Sequence, residues 1–480
     1  MSKKVWVLVG AIFAVRFVLA LLLPLSPQEA YYWNYSRHLA ISYFDHPPLS
    51  AWSIWLFTLL FGDSVFAIRL PALLYSFGTF LALYRFARRL TPVAVREFLP
   101  LLLSPFFFVG GMQMLPDSPL LFFYVLALFF GYRATIEGDE RSWYGFGAAV
   151  GFAFLSKYSA VLILGGMGLF ILLSNGWRVL SSLHFWLSLL LAGIIFLPVV
   201  IWNAQHHWAS FLFQSSRRAG ELGNFSFYNF GRYVITQVLV LSPVLWLTNW
   251  KAFIVGIKVC FRKKDRLILY LTSWVLPCFA GFTIISFFYW VKLNWLWLGY
   301  LVATVLGIVL AFQKNVKSLF KLELVGACAT TLVLVLFLFY QPFAANWSGN
   351  SLAGWKELVR KVWQMANERG GKWEVGGYEY KTASELAFYL PNQPETYSNA
   401  LIGQPGLQYD YWFDQSKVIG RNFLFVIDRR YRLNDAPGVL KGFFEKVEEA
   451  DSLVVKSGRG YVTTFYIYPC YSYKGLNLKR

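Results

Sequence analysis

Residues 26–52 read SPQEAYYWNYSRHLAISYFDHPPLSAW and stand between two long apolar runs. Glu29, Arg37, His38, Asp45 and His46 gather here among tyrosines and tryptophans. The whole 480-residue chain is only 14% charged, 57% hydrophobic and 20% aromatic. A soluble chain carries about 25% charged residues, so this composition marks an integral membrane protein. Ionisable groups are costly beside lipid, and a cluster of them there marks a functional site.

Outward from this stretch, the apolar runs fall near 5–24, 67–86, 92–111, 118–135, 143–156, 158–174, 184–202, 230–250, 267–289, 295–313 and 324–341. At roughly 17–25 residues per span these predict about eleven transmembrane helices. The first run keeps Arg16 and no small-residue cleavage site follows it, so it reads as a retained span. Residues 50–63 are too short to span and read as a helix lying along the outer surface.

Basic residues collect at Lys3 and Lys4, at Arg85, Arg88, Arg89 and Arg96, at Arg133 and Arg141, between Lys251 and Arg266, and from Lys314 to Lys321. All of these fall on one side if the N-terminus is cytoplasmic. This arrangement accounts for the net charge of +19 and excludes nucleic acid as a partner. The four cysteines, Cys260, Cys278, Cys328 and Cys470, form neither a disulfide framework nor a metal-type spacing. From about residue 345 the pattern becomes that of a soluble α+β domain, with strand-like runs FLFVID and YVTTFYIY. The expected domains are therefore a membrane domain over 1–344 and an extracytoplasmic domain over 345–480, on the side of the membrane opposite the N-terminus.

With this topology Glu29, Asp45 and Asp117 face outward, as do Arg37, Lys157, Arg217, Arg218, Lys292 and four of the five histidines. Each residue also has a local reading. Ser26-Pro27-Gln28-Glu29 fits a capping box, Asp117 fits a helix cap, and Asp45-His46 before two prolines fits a turn. Arg69, at the start of a span, reads as locally paired. Their convergence on one face is what points to chemistry. A carboxylate can serve as general base toward an acceptor hydroxyl. Lysine and arginine can hold a departing phosphate and offset its growing charge. An Asp and a His together offer ligands for a divalent metal ion. No nucleotide or organic cofactor is expected.

The stretches EAYYWNYSRHLAISYFDHPPLSAW, MLPDSPLLFF, GFAFLSKYSAVLIL, VVIWNAQHHWASFLFQ and ASELAFYLP together resemble the bacterial relatives of the protein O-mannosyltransferases. That group includes lipid A aminoarabinose transferase and lipopolysaccharide galacturonosyltransferases. The resemblance implies a C-type glycosyltransferase fold, GT-C, and inverting transfer of a sugar from a polyprenyl phosphate donor to an outer-leaflet lipid, glycan or protein acceptor. The catalytic residues it implies are Glu29, Asp117 and Asp45. The lipid phosphate and sugar would meet Gln28, Tyr32, Arg37, His46, Lys157, Tyr158, Arg217, Arg218 and Lys292, and a metal would meet Asp45, His206 and His207. The family places an Asp-Glu pair where this chain has Gln28-Glu29. Either Glu29 takes the acidic role or the general base is absent, which suits an acceptor phosphate already ionised near neutral pH. The alternative from another class is a flippase for polyprenyl-linked glycolipids. Transporters, however, place polar groups near the bilayer midplane, in repeated halves that this chain lacks.

Overall fold

The structure, a computed structural model, describes residues 3–217, 220, 223–263, 265–314, 319–339, 351–431 and 433–476. It divides into two compact units, Met1–Leu21 with Ala40–Leu334, and Leu22–Leu39 with Val335–Arg480.

The first unit is helical and carries the membrane part. Among the described residues seven helices are long and apolar enough to cross a bilayer, or eight if the bent pair Val95–Leu102 and Pro105–Met112 is one span. Shorter apolar helices, Leu49–Phe61, Tyr158–Leu173 and Trp297–Gln313, account for part of the difference from the expected eleven. Local chemistry accounts for more. Ser104-Pro105 interrupts the run at 92–111, where the two halves meet at 83°. At 230–250 the chain breaks between Phe227–Leu241 and Pro243–Lys263, with Ser242 at a left-handed φ of 84°.

The helix Asp117–Thr135 packs along Ser142–Ser156, which in turn packs along Leu183–Gln205. The second contact uses glycines four apart. A Cβ on Gly147 would lie 2.2 Å from the Ser188 carbonyl oxygen, and one on Gly151 would lie 2.7 Å from Ile195 Cβ. Only bare backbone permits that approach, as is usual where lipid supplies no hydrophobic drive for helix association. The core runs through Leu83, Tyr124, Phe146, Tyr270, Trp274 and Leu301. Arg16 is fully buried in this unit. It donates to the Phe108 carbonyl at 3.1 Å and to Ser76 at 2.8 Å. Arg69 donates to the Ala20 carbonyl at 2.7 Å, a bond between two helices.

The second unit is built on a six-stranded sheet. Its strands are β1 (Trp373–Gly377), β2 (Thr396–Tyr397), β3 (Asn422–Asp428), β4 (Phe444–Val447), β5 (Asp451–Ser457) and β6 (Gly460–Tyr473). The order is β2-β1-β3-β6-β4, with β5 also on β6. β1 runs parallel to β2 and β3, whereas β6 is antiparallel to β3, β4 and β5. β3 holds the whole FLFVID run and is apolar on both faces because both are covered. Leu424 and Val426 pack in a core with Leu358 and Val362 of the helix Trp355–Arg369. The alternate residues Phe423, Phe425 and Ile427 pack with Leu440 and Tyr473. Period-two alternation explains the split.

No feature of the sequence signals that the helix Pro27–Arg37 belongs to this unit. Tyr31 packs against Tyr380 with the rings tilted and 4.5 Å apart, Trp33 meets Phe388 edge-on at 5.1 Å, and Asn34 donates to the Tyr409 hydroxyl at 3.0 Å. Its amphipathic tyrosines and tryptophan bury ring area while their polar ends find partners.

Candidate functional site

The buried centre of the first unit is a carboxylate. Asp117 opens the helix Asp117–Thr135, and Lys157 closes the helix Ser142–Ser156. The two helices are consecutive and antiparallel, so the start of one lies beside the end of the other. A carboxylate at a helix N-terminus and an ammonium at a C-terminus are each favoured by the helix dipole. Lys157 Nζ donates to both Asp117 oxygens, at 2.8 and 3.0 Å. Asn294, just ahead of the helix Trp297–Lys314, donates to Asp117 Oδ2 at 2.7 Å. The side chains of Lys157 and Asp117 are 13% and 7% exposed. In such a low-dielectric setting each charge depends on its partner. The helix-cap reading of Asp117 is not realised, because Pro116 occupies the cap position and no side-chain cap bond forms.

Tyr158 follows Lys157 and its hydroxyl meets Ser210 Oγ. Ser210 belongs to a tight turn after the helix Leu183–Gln205. There Asn203 Oδ1 accepts from the amides of Ser210 and Phe211 at 3.1 and 3.2 Å. The same segment reaches Asp45, whose backbone carbonyl accepts from Gln214 at 2.8 Å. Asp45 also lies within electrostatic range of the Tyr158 hydroxyl. The first unit thus links Asp45, Asp117 and the adjacent pair Lys157-Tyr158, three places far apart in sequence. His46 is half-buried next to Asp45. Lys292 is exposed. Arg218 lies outside the described residues, and for Arg217 only the backbone, ending a π-helical turn, is described.

Among the described residues no three His, Cys, Asp or Glu side chains gather as a metal-holding group, so the metal expected at Asp45, His206 and His207 finds no support. His206 Nδ1 lies 2.8 Å from the Trp202 carbonyl, and its ring stacks on Trp202 at 4.0 Å. His207 is exposed with φ at 51°. No step is derived through a metal.

In the second unit Glu29 is fully buried and completes the capping box. Its Oε2 accepts from the Ser26 amide at 3.0 Å and from the Ser26 hydroxyl at 2.9 Å. Gln28 is exposed, and Tyr32 is buried against Tyr31 and Tyr35. Arg37 pairs with Glu395 at 3.0 Å and lies over the Trp33 ring at 5.0 Å. Asn294, Asn203, Ser210 and Gln214 escaped the sequence reading. For Asn294 a signal existed, a polar residue two places after Lys292 in VKLNW.

Residues 45–202 match the family described as dolichyl-phosphate-mannose-protein mannosyltransferase. The chain is 24% identical over 436 residues to lipid A galacturonosyltransferase RgtD from Rhizobium johnstonii, covering 86% of this chain and 88% of that one. Its fold is that of ArnT from Cupriavidus metallidurans, solved bound to undecaprenyl phosphate, with a TM-score of 0.65 at 15% identity over 97% of this chain and 98% of ArnT. These likenesses together support a polyprenyl-phosphate-sugar glycosyltransferase family. A more distant likeness, TM-score 0.51 at 10% identity over 95% of this chain and 74% of the other, is to the oligosaccharyltransferase AglB from Archaeoglobus fulgidus in complex with an inhibitory peptide and a dolichol-phosphate. The fold of this glycosyltransferase is therefore GT-C, multi-pass and helical with a C-terminal sheet domain, and the flippase alternative finds no support.

Proposed function

We propose that the chain transfers a sugar, with inversion, from a polyprenyl phosphate carrier to lipid A or another glycolipid of the cell envelope. The reaction takes place at the outer face of a bacterial inner membrane. The observation that carries this reading is the buried Lys157, held by both oxygens of Asp117 and steadied through Asn294. As the sugar leaves its carrier, negative charge grows on the phosphate, and a pre-positioned ammonium in a water-poor site offsets it without reorganising. Asp117 is the residue that aims and charges Lys157, and Tyr158 anchors the neighbouring 203–214 segment. The name of the relative RgtD supports the lipid A acceptor.

The test is purified chain in lipid nanodiscs with a synthetic polyprenyl phosphate sugar and lipid A. A product heavier by one sugar residue, with inverted anomeric configuration, is the expected outcome. Translocation of the donor without covalent transfer overturns the proposal. The orientation is tested by replacing Ser457 with cysteine in a chain otherwise free of cysteine. Labelling of intact spheroplasts by a membrane-impermeant maleimide is expected, and labelling only after lysis reverses the topology.

A further inference from the structure

The second unit contains a cavity of about 450 Å³ that the transfer chemistry does not use. Its walls include Tyr397, Tyr409, Trp412 and Phe413, and its polar rim includes Glu395 and Asp414. Tyr397 and Phe413 stand edge to face at 6.3 Å. The Tyr409 hydroxyl is already bonded to Asn34 and Ser384, at 3.0 and 2.9 Å, so the ring carbons of Tyr409 are what it offers the cavity. Glu395 already has its partners, Arg37 at 3.0 Å and His38 at 3.2 Å, and Asp414 has Lys417 at 3.6 Å. A further free cation would therefore gain little from these carboxylates.

Ring faces beside carboxylates that are charged yet still have lone pairs suit a ligand with apolar C–H faces and donating hydroxyls. A carboxylate oxygen accepts more than one hydrogen bond. An aromatic ring supplies rigid apolar area at little entropic cost. The volume lies in the range of small-molecule sites and holds one or two sugar rings. We infer that this cavity is a saccharide subsite that binds the sugar portion of the acceptor. The inference rests on the proposed transferase reading, and it assigns acceptor recognition to the soluble unit.

The experiment uses the full chain in nanodiscs and two readouts. In the first, saturation-transfer difference NMR probes methyl glucoside, methyl glucosaminide and methyl glucuronide. Signals from sugar C–H protons are expected with the parent chain and are expected to fall about tenfold in Tyr397→Ala and Asp414→Ala, the latter read beside Asp414→Asn, which keeps the side-chain oxygen that caps the turn Gln415–Lys417 and is expected to show the same loss. In the second, steady-state transfer is expected to show acceptor KM raised ~10-fold in both variants, with kcat and donor KM unchanged, as the loss of one ring or one charge-assisted contact implies. Absence of any saccharide signal from the parent chain overturns the inference. So does an unchanged acceptor KM, or a rise in donor KM instead. If the parent chain transfers no sugar, the proposed function fails, but the NMR readout still reports whether the cavity binds saccharide.

Discussion

Two carboxylates in this molecule do the same thing in different surroundings. In the helical unit Asp117 bridges Lys157 and Asn294, and in the sheet unit Glu395 bridges Arg37 and His38. Both bring together residues remote in sequence. Asp117 is 7% exposed, whereas Glu395 is 52% exposed. Burial decides what each is worth. Water screens the Glu395 pairs, and exposed pairs contribute about 0–1 kcal/mol. Around Asp117 little water competes, so removing one partner strands the other. A stranded buried charge is a poor device for stability and a good one for holding an ammonium ready.

The largest effects should therefore come from the buried pair. Asp117→Ala leaves Lys157 with neither carboxylate oxygen and should destabilise the chain by about 3–5 kcal/mol, read as lowered thermal unfolding in detergent. Asp117→Asn keeps the shape and removes the charge, and should lower kcat more than it raises donor KM. Lys157→Ala should weaken donor binding roughly 10–150-fold, the worth of a charge-assisted contact of about 1.5–3 kcal/mol. If both Asp117→Asn and Lys157→Ala transfer sugar at the parent rate and affinity, the contrast between buried and exposed bridges has no functional meaning.

Glu29 tests the comparison from between its two extremes, since it is a buried carboxylate with short-range partners. Glu29→Ala removes the reciprocal bonds with Ser26 and should cost about 0.5–2 kcal/mol, the usual worth of a cap. Glu29→Gln retains a side chain that serves the same box, so turnover should stay within a few-fold of the parent. A loss of roughly 10²–10⁴-fold on Glu29→Gln would instead assign Glu29 the general-base role.

The sequence exposes these two bridges unequally, for physical reasons. Composition and run length identify the membrane class, and FLFVID and YVTTFYIY reveal the sheet domain, because burial on a strand or a span leaves periodic traces. Asp117 and Lys157 were legible because a charge beside an apolar run stands out. Asn294 was less so, since a neutral amide is cheap near a membrane boundary and only its approach to Asp117 gives it meaning. The placement of Pro27–Arg37 in the sheet unit was not legible at all. Its tyrosines suit an interfacial helix as well as a protein contact, and only the partners Tyr380, Phe388 and Tyr409 distinguish the two. The span count drifted where Ser104-Pro105 and Ser242-Pro243 break runs that are uniformly apolar.

The smallest expected effect belongs to the exposed bridge, and its sign follows from linkage. The hydrogen bond from His38, aided by the charges of His38 and Arg37, holds the Glu395 carboxyl below its ordinary value of 4.5 despite partial burial. A carboxylate whose folded pKa is depressed stabilises the folded state above its unfolded pKa and loses that contribution as pH falls through the folded value. The attachment of the helix Pro27–Arg37 within the sheet unit should accordingly loosen as pH falls below the ordinary carboxylate range. Hydrogen exchange of the amides of Trp33 to Arg37 reports it, corrected for the intrinsic pH dependence of exchange. Exposure makes the loosening modest, within the ~0–1 kcal/mol of a solvent-screened pair. Glu395→Gln should flatten the profile while leaving protection at neutral pH only slightly reduced, because Tyr31, Trp33 and Asn34 still hold the helix. If the variant keeps the acid-dependent loosening, Glu395 is not its origin. If protection at neutral pH collapses in the variant, the exposed bridge carries as much as the buried one and the contrast fails from this side too.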